Sequence, residues 1–211
     1  MGLIRDPVLL ITALPVILLA LTVHEWAHAY SAYRLGDPTA RQLGRMTLNP
    51  LAHLDLFGTL AIVLIGFGWA KPVPVNPNNL REPRRHMMWI AAAGPLSNIA
   101  QALIFGLLLQ MMATMGGSSG IIFKIVHYGI IINCALAVFN LLPVPPLDGS
   151  KIIYGLIPGM TYESIIKLER YGPMVLMGVI AFGYITGTSI LWSIMGPPVY
   201  LLVAILSGGI A

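Results

Sequence analysis

The sequence predicts an all-α polytopic membrane protein of about five transmembrane helices, with one re-entrant, β-hairpin-like segment around residues 57–77. Composition is the first ground: 57% of the 211 residues are hydrophobic and 9% are charged, with a mean hydropathy of +0.82, whereas a soluble domain carries about 25% charged residues. The second is distribution, since long apolar runs alternate with short loops that hold nearly all of the twelve Lys and Arg residues. The third is continuity: no internal repeat, low-complexity tract or separate soluble region interrupts the pattern. Residues 1–211 therefore read as a single membrane-embedded domain, with a core over residues 7–150 and a C-terminal helical hairpin over residues 161–208.

The net charge of +4 and pI of 9.4 do not imply a nucleic-acid partner. The cations are scattered through loops, a pattern that orients a chain in a bilayer. Cys134 is the single cysteine, which excludes an intrachain disulfide and leaves it a packing role in its apolar run. The apolar run at the start is too long for a signal-peptide core and is expected to remain in the mature chain.

Taken in order, the first span covers residues 7–33, with Pro15 placed to kink it. Residues 34–56 form a loop with turn signals at Gly36-Asp37-Pro38 and Asn49-Pro50, and the interleaving of Leu43, Met46, Leu48, Leu51 and Leu54 with polar residues makes it interfacial. Residues 57–70 are apolar but would reach only roughly 21 Å as a helix, short of an about 30 Å hydrocarbon core, so they are expected to enter the bilayer and return. In the following Pro72-Val73-Pro74-Val75, an extended chain points the N–H groups of Val73 and Val75 to one edge, while the prolines leave the other edge without donors. The edge with the donors is free either to hold another extended segment or to pair within its own hairpin. Spans over residues 87–112 and 121–142 come next, and the prolines of residues 143–149 break the second of them. A polar stretch, 161–170, precedes the apolar runs 171–185 and 190–206 of the hairpin.

Charge sets an orientation. If residues 57–70 do not cross, Arg34, Arg41, Arg45, Lys71, Arg81, Arg84, Arg85, Lys151, Lys167 and Arg170 share one side, against Arg5 and Lys124. Ten against two is a strong positive-inside signal, placing the N-terminus outside and that side in the cytoplasm. A crossing segment would lower the split to eight against four.

Within the first span stands His24-Glu25-Trp26-Ala27-His28. On a helix, residues four apart share a face at about 6 Å along the axis, so both imidazoles can reach one metal ion, with Glu25 beside them as a base. Ionisable groups inside a membrane span are costly, which argues for function. A hydrolytic zinc site needs three protein ligands and an open position. Among the acidic residues, Asp148 alone follows an apolar run and a set of helix-breaking prolines able to aim a carboxylate into a cavity. It can meet His24 and His28 only if residues 57–70 return to the side they left. Asn98 has two readings: a hydrogen-bonding residue between helices, or an amide that steadies an oxyanion or the substrate backbone. His53 and Asp55, two residues apart, share no helix face, and His86 and His127 have no partner at metal spacing.

Three segments carry a family resemblance: His24-Glu25-Trp26-Ala27-His28, Gly94-Pro95-Leu96-Ser97-Asn98, and Asn140 to Gly149 with its closing Leu147-Asp148-Gly149. In this order they resemble the site-2 protease family of intramembrane metalloproteases, in a compact form that also has Gly-Asp-Pro-Thr-Ala-Arg after the first span. The resemblance implies one zinc ion on His24, His28 and Asp148, Glu25 as general base, and Asn140 as a substrate-contacting residue. It further implies hydrolysis of peptide bonds in or near transmembrane segments of membrane-anchored proteins, toward the cytoplasmic side of the cell membrane. The loop at Gly116 to Gly120 has no room for the PDZ domain of larger relatives. A metal transporter or silent scaffold is the rival reading, although the other spans carry no second relay of acidic or histidine residues. An enzyme acting on lipid or soluble peptides would use the same site chemistry.

Overall fold

Asp6 and Pro7 start the first helix. The Asp6 carboxylate accepts the N–H groups of Val8 and Leu9 at 2.9 and 3.1 Å, and Pro7 occupies the first turn, where no N–H is needed. Helix α1 then runs Pro7–Arg34 in the computed structural model, which describes residues 6–65, 68–117, 119–158, 162–188 and 190–209. It ends before Gly36, whose φ of +108° a side chain would strain.

After the single-turn helix α2 (Thr39–Gln42), Asp55 caps α3 (Leu56–Ile65) by accepting the Gly58 N–H at 2.8 Å. Ten residues of helix reach only about 15 Å. The chain then returns, because Leu54 and Ala70 form an antiparallel bridge and the Lys71 N–H donates to the His53 carbonyl at 2.8 Å. Both ends of the segment therefore lie side by side, and it does not span. The re-entrant, β-hairpin-like segment expected around residues 57–77 thus has a helical outgoing limb and an extended return joined by that bridge, and no strand forms among the described residues. A helix satisfies its own N–H and C=O groups where no water can, which favours it in so apolar a limb. A Cβ at Gly58 would collide with the Trp69 carbonyl, so glycine lets the two limbs touch backbone to backbone.

The remaining helices are α4 (Pro83–Thr114), α5 (Ile121–Asn140), α6 (Asp148–Leu156), α7 (Tyr162–Thr186) and α8 (Ile190–Ser207). Among the described helices, α1, α4, α5 and α8 are long and apolar enough to cross a membrane, which makes this a multi-pass membrane protein. The run 171–185, counted separately from sequence, continues the polar stretch before it as one helix, α7. Its apolar part is about 22 Å long.

Helix α4 is central and packs against α1, α5, α6 and α8. Ala102 and Leu109 of α4, Val126, Ile130 and Cys134 of α5, and Val199 and Val203 of α8 form the main core. Small residues bring these backbones close: a Cβ on Gly106 would strike the Leu206 carbonyl, and one on Gly129 the Phe105 ring. Ala13 of α1 and Ile62 of α3 form a second cluster with Ile132 of α5, holding the re-entrant helix against the bundle. With α1, α4 and α5 alternating in direction, the ends of α1 and α5 meet the start of α4 and of α6.

Candidate metal centre

His24 and His28 lie in the last three turns of α1, one turn apart, and both are buried. Their Nε2 atoms are 3.0 Å apart. The third member comes from the chain break after α5. Residues 141–147 turn through Pro143, Pro145 and Pro146 into α6, whose first residue is Asp148, buried at 8% exposure. Its Oδ2 stands 3.3 Å from the Nε2 of each histidine. Gly149 makes this approach possible, since a Cβ there would collide with the carbonyls of Leu141 and Leu142.

The other ring nitrogen of each histidine is fixed from behind. His28 Nδ1 is 2.7 Å from the Ile90 carbonyl, and His24 Nδ1 is 2.7 Å from Asn98 Oδ1. Carbonyl oxygens accept only, so both Nδ1 atoms carry the proton and both Nε2 atoms present lone pairs. The orientation of Asn98 is itself determined: its Nδ2 donates to Asn133 Oδ1 at 2.9 Å and to the Ala20 carbonyl at 3.3 Å, and Asn133 Nδ2 donates to the Gly129 carbonyl at 2.9 Å. Asn98 and Asn133 are both fully buried.

This donor set fits a zinc ion. Three acceptor atoms face one another with no proton between them, and Asp148 Oδ2 is a buried oxygen with no hydrogen-bond partner. Such an arrangement is repulsive unless a cation lies among the three. Bonds of about 2.0–2.1 Å in a tetrahedral site separate ligand atoms by about 3.3 Å, matching the observed 3.0, 3.3 and 3.3 Å. Gly94 of α4 completes the cradle: a Cβ there would stand 2.6 Å from His24 Nε2 and closer still to His28 Nε2.

Glu25 and the three ligands line a cavity of about 130 Å³, whose other walls include Met87, Ile90 and Ala91 of α4, Asn140 of α5 and Lys151 of α6. Its remaining side is an extended strap, residues 71–76, contributing Pro72, Val73 and Val75. Arg45 Nη2 donates to the Lys71 carbonyl at 2.6 Å, the Val73 N–H to Glu25 Oε2 at 3.0 Å, and the Asn76 N–H to Asp37 Oδ2 at 2.7 Å. Asp37 anchors the far end, its Oδ1 accepting from Thr39 Oγ1 at 2.5 Å, Asn79 Nδ2 at 2.7 Å and the Thr39 N–H at 3.1 Å. Burial pushes the Asp37 carboxyl up, but the bonds from Thr39, Asn79 and Asn76 outweigh it and hold it below the usual carboxylate range. The strap thus has the one-sided donors expected from its prolines, but its Val73 N–H meets a carboxylate rather than a neighbouring strand.

Of the residues singled out from sequence, His24, Glu25, His28, Asp148 and Asn140 come together around the cavity. Asn98 stands behind His24 instead of lining the space, with both of its amide atoms engaged. Asn140 lines it and donates through Nδ2 to the Leu136 carbonyl at 3.0 Å. His53 bonds the Thr47 carbonyl through Nε2, and His127 lies against Phe123 and Tyr128; neither joins a metal-binding group among the described residues. Sequence reasoning missed Asp37, Asn133 and Lys151. Asp37 carried a local signal, because Asp with Thr two residues on is a common side-chain-capped turn. Lys151 lies one helical turn from Asp148, a spacing that already implies a shared face.

Comparison with known proteins agrees with this geometry. Residues 117–184 match the model of the family described as peptidase family M50, a stretch that includes Asn140 and Asp148. "Putative zinc metalloprotease YwhC" of Bacillus subtilis is 40% identical over 194 residues, covering 90% of this chain and 86% of that protein. "Putative zinc metalloprotease Rip2" of Mycolicibacterium smegmatis is 29% identical over 167 residues, 76% of this chain and 62% of that protein. No solved structure matches the chain significantly.

Proposed function

The chain belongs to peptidase family M50, the site-2 protease type of zinc metalloprotease, and from that premise we propose an intramembrane endopeptidase that cuts membrane-anchored proteins in or near their transmembrane segments. The observation that carries this reading is the convergence of His24 Nε2, His28 Nε2 and Asp148 Oδ2 beside Glu25, inside a multi-pass bundle. Zinc held by His24, His28 and Asp148 would supply Lewis acidity, making water a nucleophile near neutral pH.

The chain's own residues supply the rest. Glu25 Oε2 is held by the Val73 N–H, which leaves Oε1 to take a proton from the attacking water and deliver it to the leaving amine. A helical substrate hides its carbonyls in its own hydrogen bonds, so it must be extended before attack. The strap suits this need: the Val75 N–H, two residues along the same edge as Val73, has no partner among the described residues and is free to hold an extended chain. Asn140, across the cavity, is placed to contact the same segment. The catalytic core covers residues 7–150, with the α7–α8 hairpin as support.

The ten-to-two division of cations supports an N-terminus outside the cell membrane and a site opening toward the cytoplasm. Glu25→Gln tests the whole reading. The variant is expected to keep zinc and to leave a membrane-anchored reporter uncut by the purified protein. Full retained cleavage would remove Glu25 as the base.

A further inference from the structure

Peptide hydrolysis puts negative charge on the scissile carbonyl oxygen, and a preformed donor aimed at that oxygen is worth about 10²–10³ in rate. The donors around this cavity can be counted off. His24 Nδ1 and His28 Nδ1 are held by Asn98 and Ile90, and Asn98 Nδ2 by Ala20 and Asn133. One N–H of Asn140 Nδ2 is bound to the Leu136 carbonyl, and the Val73 N–H to Glu25. Pro72 and Pro146 have no N–H. Among the side-chain and strap donors, three remain: the Val75 N–H, the second N–H of Asn140 Nδ2, and the Lys151 ammonium.

These donors suit different tasks. Val75 continues an extended edge and matches the backbone of a peptide lying along it. Lys151 is half-buried, lies one turn beyond Asp148 on α6, and is the one cation among the residues lining the cavity. No hydrogen bond or ion pair engages it among the described residues. A charged donor makes a bond to a developing anion roughly twice as strong as a neutral one. Resting on the peptidase reading above, we infer that Lys151 is a catalytic residue that donates from its ammonium to the oxyanion formed on the scissile carbonyl, the part that the engaged amide of Asn98 cannot play.

The test uses the full chain in detergent, a membrane-anchored reporter, and a peptidyl phosphonate as a tetrahedral-anion probe. Lys151→Met is expected to lower kcat about 100-fold while KM moves less than about threefold. Its zinc content stays that of the unaltered protein, and its phosphonate affinity falls by a similar factor of about 100. Lys151→Arg recovers at least about a tenth of the activity, since it restores a cationic donor, and Lys151→Gln serves as a second neutral variant read in the same way. A kcat within about threefold of the unaltered chain overturns the assignment. So does a raised KM with kcat unchanged, which marks a contact made equally to substrate and transition state, and so does a loss of zinc, which marks a site-building role. If the unaltered chain holds zinc but cuts nothing, the peptidase reading falls and Lys151 with it. An active unaltered chain beside an undiminished Lys151→Met overturns Lys151 alone.

Discussion

The two sides of the metal centre are built on opposite plans. Behind the histidines, at the α1–α4–α5 contact, Asn98 and Asn133 are fully buried and their amide nitrogens are matched to acceptors from Ala20 through to Gly129. In front, the walls are a proline-interrupted strap and the first turn of α6, where the Val75 N–H and the Lys151 ammonium have no partner among the described residues. The satisfied side fixes ring orientation, which a metal site needs before any ligand arrives. The unsatisfied side leaves hydrogen-bonding capacity for a substrate. The division of labour in one small cavity is therefore readable from where its polar atoms are already engaged.

Variants that strike this division separate the two sides. The largest effect is expected from Asp148→Asn, which weakens the third ligand. Its zinc affinity should fall by more than the roughly 10–100-fold typical of an outer-shell change, measured by competition with a chromogenic chelator; unchanged affinity would place the ligand elsewhere. Gly94→Ala follows. Alanine favours a helix by about 1 kcal/mol over glycine, yet its Cβ would stand 2.6 Å from His24 Nε2, so the variant should be no less helical by circular dichroism while failing to retain zinc. Asn98→Ala comes next, with zinc affinity reduced by about 10–100-fold and cleavage recovered by added zinc. An oxyanion role for Asn98 predicts the reverse, a lower kcat at unchanged zinc affinity.

The smallest effect belongs to the strap anchor. Asp37 has its carboxyl held below the ordinary value near about 4. The stabilisation it provides is therefore complete above that value and is lost as pH falls through the depressed one. The protection of the Asn76 amide, which donates to Asp37, measured as its hydrogen-exchange rate relative to an unstructured amide at the same pH, should fall on acidification from about pH 6 to pH 3. Asp37→Asn should show lower protection throughout, with little dependence on pH over that range. A pH response in the Asn variant equal to that of the unaltered chain would assign the effect to another group.

Much of this molecule was legible because its signals were local or were matters of length. The His24–His28 pairing follows from helix geometry within one turn, and residues 57–70 are too short to cross, which the Leu54–Ala70 bridge bears out. Asp148 was found by asking what could complete a two-histidine site. What escaped depends on contacts made far along the chain. The Asp37 carboxylate bonds Asn76 and Asn79, about forty residues on, and nothing in Gly36-Asp37-Pro38 distinguishes that anchor from an ordinary turn. The His28 partner is a backbone carbonyl, Ile90, which leaves no mark on the sequence at all. Asn98 admitted two readings because only the packing of α1, α4 and α5 decides which atoms its amide meets. That the outgoing limb of the re-entrant, β-hairpin-like segment around residues 57–77 is helical has a related reason: an apolar limb satisfies its backbone more readily alone than with a partner strand.

The size of the cavity sets a limit on the reaction's other reagent. A volume of about 130 Å³ is well above the about 10–15 Å³ that one water needs, so water and a peptide backbone must fit in it together. A peptide segment that enters shares this space with the water that cuts it, so substrate and reagent compete for one volume. Each turnover consumes one water, and that water must be drawn from the same space the peptide occupies.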